Sequence, residues 1–368
     1  LELGLAACLA NGEVAILHFI DLDFFKEVND RHGHDFGDEV LRVVSARLRE
    51  TLRDGDIISR FGGDEFVVAQ FGFTTNDQIR AATGRIAKLF KEPFRILDRD
   101  ILLTASIGTA VCPQHGLTAE QLVKNADVAV YVVKARGRNA QCYFEPRFDE
   151  EKSKRLALET IVREAVTAGS FEIYYQPLYK FEDASLKGFE ALLRLRGNDG
   201  NFVSPAEFIP VAEEIGLIDE IGSWVLENAC LTAAAWPGGL QISVNLSVAQ
   251  FKRHSVVAST VSALSKSALA PQRLLLEITE SLLMSDTDSV LEQLRQLKKL
   301  GVAIVMDDFG TGYSSLGHML KFPFDRIKID RSFVSQLEGG SESANSVVQT
   351  IIALGHTLKM NVTAEGVE

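Results

Sequence analysis

Short apolar segments alternate with helical patterns from residue 171 to the end of this 368-residue chain. Such alternation over ~200 residues is typical of a (β/α)8 barrel, in which a helix follows each strand. Eight strands close a barrel of this kind, and the pattern supplies seven. We therefore predict an α/β, TIM-like (β/α)8 domain whose last strand is absent from the chain. The strand segments are 171–176, 186–193, 240–245, 274–278, 302–307, 326–329 and 361–365.

Residues 1–145 mix strands and helices without this regular alternation. The segments 57–61 and 66–69 flank Gly62-Gly63, which predicts two strands joined by a tight hairpin. Apolar residues recur at helical spacing between Asp38 and Leu52. Together these patterns predict an α+β domain in which helices pack on an antiparallel sheet. Its other elements are strands at 14–20 and 102–111 and helices at 77–90 and 119–135.

A charged amphipathic stretch at residues 146–170 separates the two patterns and predicts a connecting helix. We therefore place the first domain at 1–145 and the barrel at 171–368. Leu1 already lies in a helical pattern, so we expect the first domain to be incomplete at its N-terminus. The missing strand would likewise leave the barrel incomplete at its C-terminus.

The charge balance restricts the partners of the protein. It has 38 Lys and Arg against 50 Asp and Glu, a net charge of −12, which disfavours non-specific binding to nucleic acid. An acidic protein that handles phosphates would neutralise them with divalent metals on carboxylates. The four cysteines have no paired spacing and predict buried thiols in a reducing compartment. With neither a transmembrane segment nor a signal peptide, we expect a cytoplasmic protein or the cytoplasmic portion of a larger sensor.

Three acidic groups stand at predicted turns or helix starts in the first half: Asp21 with Asp23, Asp38, and Asp64-Glu65. Each alone has an ordinary structural explanation, since Asp caps helices and Gly-Gly joins strands. Together they closely resemble the motifs of GGDEF diguanylate cyclase domains. The matching strings are Asp21-Leu-Asp-Phe-Phe-Lys-Glu-Val-Asn29-Asp, Gly33-His-Asp-Phe-Gly-Asp38, Arg60-Phe-Gly-Gly-Asp-Glu-Phe66, Ser106-Ile-Gly108 and Ala126-Asp…Tyr131…Lys134…Gly137-Arg-Asn139.

This resemblance implies that the first domain joins two GTP molecules into cyclic di-GMP by metal-assisted phosphoryl transfer. Two domains would have to face each other, so it implies a homodimer. Asp21 and Asp64 would hold Mg²⁺, and Glu65 would assist at the metal or in deprotonation. Asn29 and Asp38 would bind the guanine of GTP. Gly62 and Gly63 would let the backbone approach the nucleotide closely, and Lys134 and Arg138 would bind its phosphates.

The motif Arg53-Asp-Gly-Asp56 lies shortly before Gly62. Five residues separate Asp56 from Gly62, which is the spacing of the inhibitory product site in the same family. An arginine can bind guanine O6 and N7 with two hydrogen bonds. The other interpretation of this short motif is a solvated turn. We predict that Arg53 and Asp56 bind cyclic di-GMP as a feedback site.

Polar residues recur at the carboxyl ends of the predicted barrel strands, which is where barrel enzymes have their active sites. One such acid could cap a helix or lie on the surface. Neither explanation accounts for six strands that all end in such a residue. Oxygen ligands without His or Cys favour Mg²⁺ or Mn²⁺ over zinc, and adjacent acids suit a two-metal site. The residues are Glu190, Asn245, Glu277, Asp307-Asp308, Lys328 and Glu365.

The second half resembles an EAL phosphodiesterase domain, a class that hydrolyses cyclic di-GMP to the linear dinucleotide pGpG. The matching strings are Tyr175-Gln-Pro177, Glu190-Ala-Leu-Leu-Arg194, Ser243-Val-Asn-Leu-Ser247, Leu276-Glu-Ile-Thr-Glu280, Asp307-Asp-Phe-Gly-Thr-Gly-Tyr-Ser-Ser-Leu316, Lys328-Ile-Asp330 and Ala364-Glu-Gly-Val-Glu368.

By this resemblance two metals would bind to Glu190, Asn245, Glu277, Asp307 and Asp308. Glu365 would be a further ligand or the general base, and Lys328 would orient the attacking water. Glu280 would anchor the Asp-Phe-Gly loop, and Gln176 and Arg194 would contact the substrate.

The two resemblances together predict a tandem enzyme of cyclic di-GMP turnover, mainly a phosphodiesterase with a GTP-binding first domain. Two alternatives stay open: a net diguanylate cyclase, and a receptor that binds cyclic di-GMP without chemistry. In a third arrangement one domain is active and the other regulates it. Degenerate receptors of this kind usually lose metal-binding acids, and none is missing here.

Overall fold

The chain divides into two units, Leu1–Leu156 and Ala157–Glu368, and each is described by itself. In the computed structural model the described residues are 1–253, 255–280, 282, 287–310, 321–338 and 342–367. A helix over Arg147–Ala168 contains the boundary between the units.

The first unit is an α+β domain, as predicted. Its elements in chain order are α1 (Glu2–Asn11), β1 (Val14–Leu22), α2 (Phe25–His32), α3 (His34–Thr51), β2 (Ile57–Gly62), β3 (Glu65–Phe73), α4 (Asn76–Lys88), β4 (Phe94–Ile96), β5 (Arg99–Ile101), β6 (Ala105–Cys112), α5 (Ala119–Ala135), β7 (Gln141–Tyr143) and α6 (Arg147–Ala168), with a 3₁₀ turn at Leu89–Lys91. The helix α2 and the short strands β4, β5 and β7 have too few residues to give a periodic pattern, and the sequence did not predict them.

The main sheet of the first unit has the strand order β2-β3-β1-β6-β7. Its pairs are antiparallel except β6–β7, which is parallel and departs from the predicted antiparallel sheet. The central strand β1 is buried along almost its whole length because helices cover both faces of the sheet. A Cβ at Gly108 would lie 2.0 Å from the carbonyl oxygen of Ala126, so only glycine lets α5 approach β6 this closely.

The second unit contains a barrel-like sheet. Its elements are β8 (Glu172–Tyr179), β9 (Leu186–Arg196), β10 (Phe202–Val203), α7 (Pro205–Glu214), α8 (Ile218–Ala234), β11 (Gln241–Leu246), α9 (Val248–Lys252), α10 (Val256–Ser267), β12 (Leu274–Thr279), α11 (Thr287–Lys299), β13 (Ala303–Phe309), β14 (Arg326–Ile329), α12 (Arg331–Glu338), α13 (Glu342–Thr357) and β15 (Asn361–Ala364), with a 3₁₀ turn at Pro271–Arg273.

The order β9-β11-β12-β13-β14-β15 is parallel throughout, which confirms the TIM-like class. The first step departs from strand–helix alternation, because β8 and β9 form an antiparallel hairpin with no helix between them. A short strand β10 also pairs antiparallel with β9. Within the described residues β8 and β15 each pair on one edge, so the sheet is open between them.

Candidate active sites in the two units

The amine of Lys328 is the centre of a buried ionic cluster inside the barrel. Lys328 lies on β14 and is 2% exposed. Its Nζ lies 2.6 Å from Glu277 Oε2 and 2.6 Å from Glu365 Oε1. Asp307 Oδ1 and Glu190 Oε2 are each 3.2 Å from the same nitrogen. The carboxyl ends of five parallel strands thus bring together one cation and four acids.

Burial and mutual repulsion shift the protonation of this cluster. Burial raises the pKa of Glu277 to about 7, and Glu190 and Asp307 add to the shift while Lys328 opposes it. Burial favours the neutral amine of Lys328, but the surrounding carboxylates outweigh burial and raise its pKa above the usual value. A site with more acids than cations attracts further positive charge.

Three acids of the second unit, two of them from the Lys328 cluster, have the geometry of a metal site. One oxygen from each of Asp307, Asp308 and Glu365 lies within 4.8 Å of the other two. Neighbouring residues of a strand normally point to opposite faces. Here the β13–β14 register shifts between Met306 and Phe309, and Asp308 has a left-handed φ of 55°, so both aspartates reach the site. Hard oxygen donors of this kind fit Mg²⁺ or Mn²⁺.

Burial also raises the pKa values of Asp308 and Glu365, and the negative charge of Asp307 adds to both shifts. A divalent cation would reverse these shifts, because it stabilises the ionised form of each carboxylate.

Hydrogen bonds orient the other predicted ligands. Asn245 Nδ2 donates to Glu190 Oε1 at 2.8 Å, and the buried hydroxyl of Ser243 donates to Glu277 Oε1. Both oxygens of Glu277 are therefore engaged. Sequence reasoning did not assign Ser243 a role, although its place two residues before Asn245, on the same strand face, is a signal for one. Glu280 Oε2 accepts a 3.4 Å bond from the backbone N–H of Gly310, the glycine of the Asp-Phe-Gly segment.

The two predicted substrate residues lie on the β8–β9 hairpin. Gln176 is exposed and stands directly opposite Glu190, beside the ionic cluster. Arg194 lies on the face that Glu190 shares, four residues further along β9, with its guanidinium 5.6 Å from the ring centroid of Tyr174. The part of the Asp-Phe-Gly-Thr-Gly motif at residues 311–316, and Glu368, lie outside the described residues.

The first unit has a second acidic cluster at the end of its central strand. Asp21 lies directly opposite Glu65 in the β1–β3 ladder, which places their side chains on one face. Lys134 Nζ contacts Asp21 Oδ2 at 2.6 Å. Burial raises the pKa of Asp21 and of Glu65, and the charge of Asp64 raises both further. Asp21, Asp64, Glu65 and Lys134 are therefore close enough to interact electrostatically.

The predicted guanine residues lie on two neighbouring helices. The Asn29 side chain packs on Gly37, where an added Cβ would lie 1.8 Å from Asn29 Oδ1. This contact brings Asn29 next to Asp38. The placement of Asp38 at a helix start is wrong, because α3 begins at His34 and Asp38 lies in its second turn. Capping therefore does not account for Asp38, which is exposed.

The hairpin turn lies one residue later than predicted. Gly62 belongs to β2 and pairs with Glu65, while Gly63 (φ 46°) and Asp64 form the turn. The backbone here is exposed, so a ligand can approach it closely.

The Arg53–Asp56 turn is well ordered by hydrogen bonds. Asp56 Oδ2 accepts from the backbone N–H of Arg53 at 3.1 Å and from Gln70 Nε2 at 2.8 Å. Arg53 itself is exposed. Gln70 was not predicted, since it stands in the middle of the apolar strand β3 and nothing in the motif marks it.

Fold and site define a two-unit protein with an acidic cluster in each unit. Family models agree: "Diguanylate cyclase, GGDEF domain" matches residues 1–140 and "EAL domain" matches residues 141–368. The chain therefore belongs to the proteins that carry a GGDEF domain followed by an EAL domain.

Relatives from Pseudomonas aeruginosa share both domains. The bifunctional diguanylate cyclase/cyclic di-GMP phosphodiesterase MucR is 40% identical over 95% of this chain and 51% of its own length. The cyclic di-GMP phosphodiesterase NbdA is 37% identical over 98% of this chain and 46% of its own length. The chain thus spans about half the length of these relatives.

A solved structure described as the PaMucR phosphodiesterase in complex with c-di-GMP is similar to part of the chain, with 40% identity and a TM-score of 0.55. The match covers 57% of this chain and 87% of that one. None of the described helices is both long enough and apolar enough to cross a membrane.

Proposed function

We propose that the EAL unit hydrolyses cyclic di-GMP to pGpG with two divalent cations, Mg²⁺ or Mn²⁺. The observation that carries this proposal is the convergence of Asp307, Asp308 and Glu365 within 4.8 Å, beside the amine of Lys328. The names of MucR and NbdA and the solved PaMucR complex support the choice of substrate.

Each residue of the barrel site would have a separate role in hydrolysis. Asp307 would be shared by the two metals, with Glu190, Asn245, Glu277 and Asp308 as further ligands. Bound divalent cations would lower the pKa of a water molecule and offset charge on the phosphodiester. Lys328 would orient that water, and Glu365 would accept its proton or serve as a ligand. Gln176 and Arg194 would hold the dinucleotide, and Glu280 would keep the loop after Asp308 in place.

For the GGDEF unit we propose GTP binding through a metal on Asp21 and Asp64, with Glu65 beside it. Asn29 and Asp38 would bind guanine, the exposed backbone at Gly62-Gly63 would meet the nucleotide, and Lys134 and Arg138 would meet the phosphates. Synthesis of cyclic di-GMP would need two such units face to face in a homodimer. Hydrolysis needs one barrel, so we propose that the protein is mainly a phosphodiesterase. We also propose that it works in a reducing cytoplasm, where its four free cysteines would stay thiols.

The deciding experiment incubates the protein with cyclic di-GMP and, separately, with GTP, and identifies the products by chromatography. We expect pGpG from cyclic di-GMP. Net accumulation of cyclic di-GMP from GTP alone would favour the alternative, a diguanylate cyclase. Binding of cyclic di-GMP without any product would favour a receptor.

We predict that GTP accelerates hydrolysis, by lowering the KM for cyclic di-GMP or by raising turnover, because ligand binding to one domain can shift the conformational equilibrium of a linked one. The measurement is the ratio of hydrolysis rates with and without GTP. Asp64→Ala should bring this ratio to about one, since it weakens metal and GTP binding. Replacement of the fully exposed Asp98 by alanine is the matched control and should keep the wild-type ratio. A ratio of one in the unaltered protein contradicts the prediction.

We also predict that Arg53→Ala weakens feedback inhibition of any GTP cyclisation by about tenfold, the worth of a good guanine contact. The inhibition curve for added cyclic di-GMP is recorded in an Asp307→Asn background, so that the barrel does not consume the inhibitor. Arg49→Ala, at an exposed arginine of α3, is the control. An inhibition curve that Arg53→Ala leaves unmoved would reduce the motif to a surface turn.

A further inference from the structure

Three consecutive residues after α5 have left-handed backbone angles. Gly137, Arg138 and Asn139 have φ values of 109°, 62° and 48°. This conformation is easy for glycine but strained for arginine, so the surrounding structure must hold the loop. The loop presents Arg138, which the proposed function assigns to the phosphates of GTP.

The carboxylate of Asp23 provides one hold. Asp23 is 5% exposed and lies just past the end of β1. Its Oδ2 accepts the backbone N–H of Asn139 at 3.0 Å and the hydroxyl of Thr104 at 2.8 Å, and its Oδ1 accepts the hydroxyl of Ser106 at 2.7 Å. One buried side chain therefore ties the loop to the segment that begins β6.

The ring of Phe24 provides a further hold, in addition to the backbone hydrogen bonds that Gly137 N–H donates to Lys134 O and Arg138 N–H donates to Val133 O. The guanidinium carbon of Arg138 lies 5.0 Å from the Phe24 ring centroid, within the range of a cation–π contact. Phe24 is 54% exposed and has itself a left-handed φ of 58°. A side chain this exposed gains little free energy from packing. We therefore attribute the strained placement of Phe24 to its contact with Arg138.

We propose that Asp23 and Phe24 are positioning residues for phosphate recognition in the GGDEF unit. Asp23 fixes the backbone of the loop, and Phe24 restrains the guanidinium of Arg138 before the nucleotide arrives. The proposal rests on the proposed GTP function of this unit. Restraint of this kind reduces the conformational entropy that the arginine loses on binding.

The test measures affinity by calorimetry for two ligands in the presence of Mg²⁺. One is a GTP analogue with a methylene group between the α- and β-phosphates, so that the bond broken in cyclisation is not cleaved. The other is guanosine, which has no phosphate. Loss of a phosphate contact weakens binding of the first ligand alone, whereas general damage to the domain weakens both.

We expect Phe24→Leu to weaken the analogue about 3-fold, as for a partly exposed cation–π pair, and Phe24→Tyr to restore it. Arg138→Ala should weaken it more, and the Phe24→Leu/Arg138→Ala double variant no further than Arg138→Ala alone. Asp23→Ala should weaken the analogue severalfold. Asp23→Asn should retain most of the affinity, because the amide can still accept from Asn139 and the Ser106 hydroxyl can turn to accept from it. Guanosine should bind all these variants like the original protein.

Different results overturn different parts of this inference. If the analogue does not bind the unaltered protein, the GTP function fails and the positioning roles fail with it. If Arg138→Ala weakens the analogue but Phe24→Leu and Asp23→Ala do not, only the positioning roles fail. Equal losses for guanosine and the analogue, or additive losses in the double variant, also overturn them.

Discussion

Asp307→Asn should reduce the hydrolysis of cyclic di-GMP by at least about 100-fold. Loss of a residue that only hydrogen-bonds to a metal ligand already costs up to about 100-fold, and Asp307 is proposed as a ligand itself. The change keeps the size of the side chain but removes the charge that would bridge two cations. Because Asp307 is also one of four acids around Lys328, the variant loses repulsion as well as attraction, and we expect it to stay folded. The measurement is the rate of pGpG formation by chromatography.

Asp288→Asn is the matched control for this prediction. Asp288 is exposed in the first turn of α11. We expect hydrolysis at the original rate in the control. Binding of Mn²⁺, followed by its paramagnetic resonance signal, should weaken in Asp307→Asn and not in Asp288→Asn. Near-normal hydrolysis by Asp307→Asn would rule out the two-metal assignment.

Lys328→Met should destabilise the barrel in the presence of a chelator by about 3 kcal/mol or more at pH 8, the cost of leaving buried charges without their partner. The sign of the pH dependence follows from Glu277. Its pKa of about 7 exceeds the ordinary value of 4.5, so the native state holds a proton that the unfolded chain releases. Stability therefore falls as pH rises between these values. The ammonium of Lys328 holds the pKa of Glu277 down, so its removal raises that pKa further. The stability of the variant then keeps falling above pH 7, and its deficit relative to the original protein should grow from pH 6 to pH 8.

Tryptophan fluorescence during urea unfolding can report on the barrel alone. The chain has two tryptophans, Trp224 and Trp236, and both lie in the second unit. Lys299→Met, at an exposed lysine of α11, should unfold like the original protein. Added Mn²⁺ should restore part of the stability of Lys328→Met, since a cation that binds the native acids stabilises that state. A deficit that is the same at pH 6 and pH 8 would show that the lost interaction is not ionic.

The sequence predicted the large elements because hydrophobic period alone identifies them. The helix α5 and the strand β14 begin and end where the pattern predicts them. The short strands β4, β5 and β7 escape the same reasoning, because three residues do not establish a period. The direction of β8 also escaped it, since an antiparallel hairpin and a parallel crossover contain strands of the same composition.

The order of residues also determined which side chains are candidates for chemistry. Acids at strand ends are visible in a sequence, and parallel strands must bring their carboxyl ends to one edge. Asp307 and Glu277 could be named as candidates on that ground, and Lys328 as a charged residue at the same edge. Gln70 could not, because a single polar residue inside an apolar strand has many explanations until its partner is known.

What the sequence by itself determined is the class of each domain and the candidate set of acids, because both depend on periodicity and on neighbours along the chain. Only the tertiary structure decided that one amine, on Lys328, lies among four carboxylates drawn from other strands. It alone decided that Asp308 takes a left-handed angle beside a register shift, and that Phe24 lies under Arg138, 114 positions later. Distances between such residues follow from the packing of whole elements, and burial then sets their charges, so neither can be derived from local pattern.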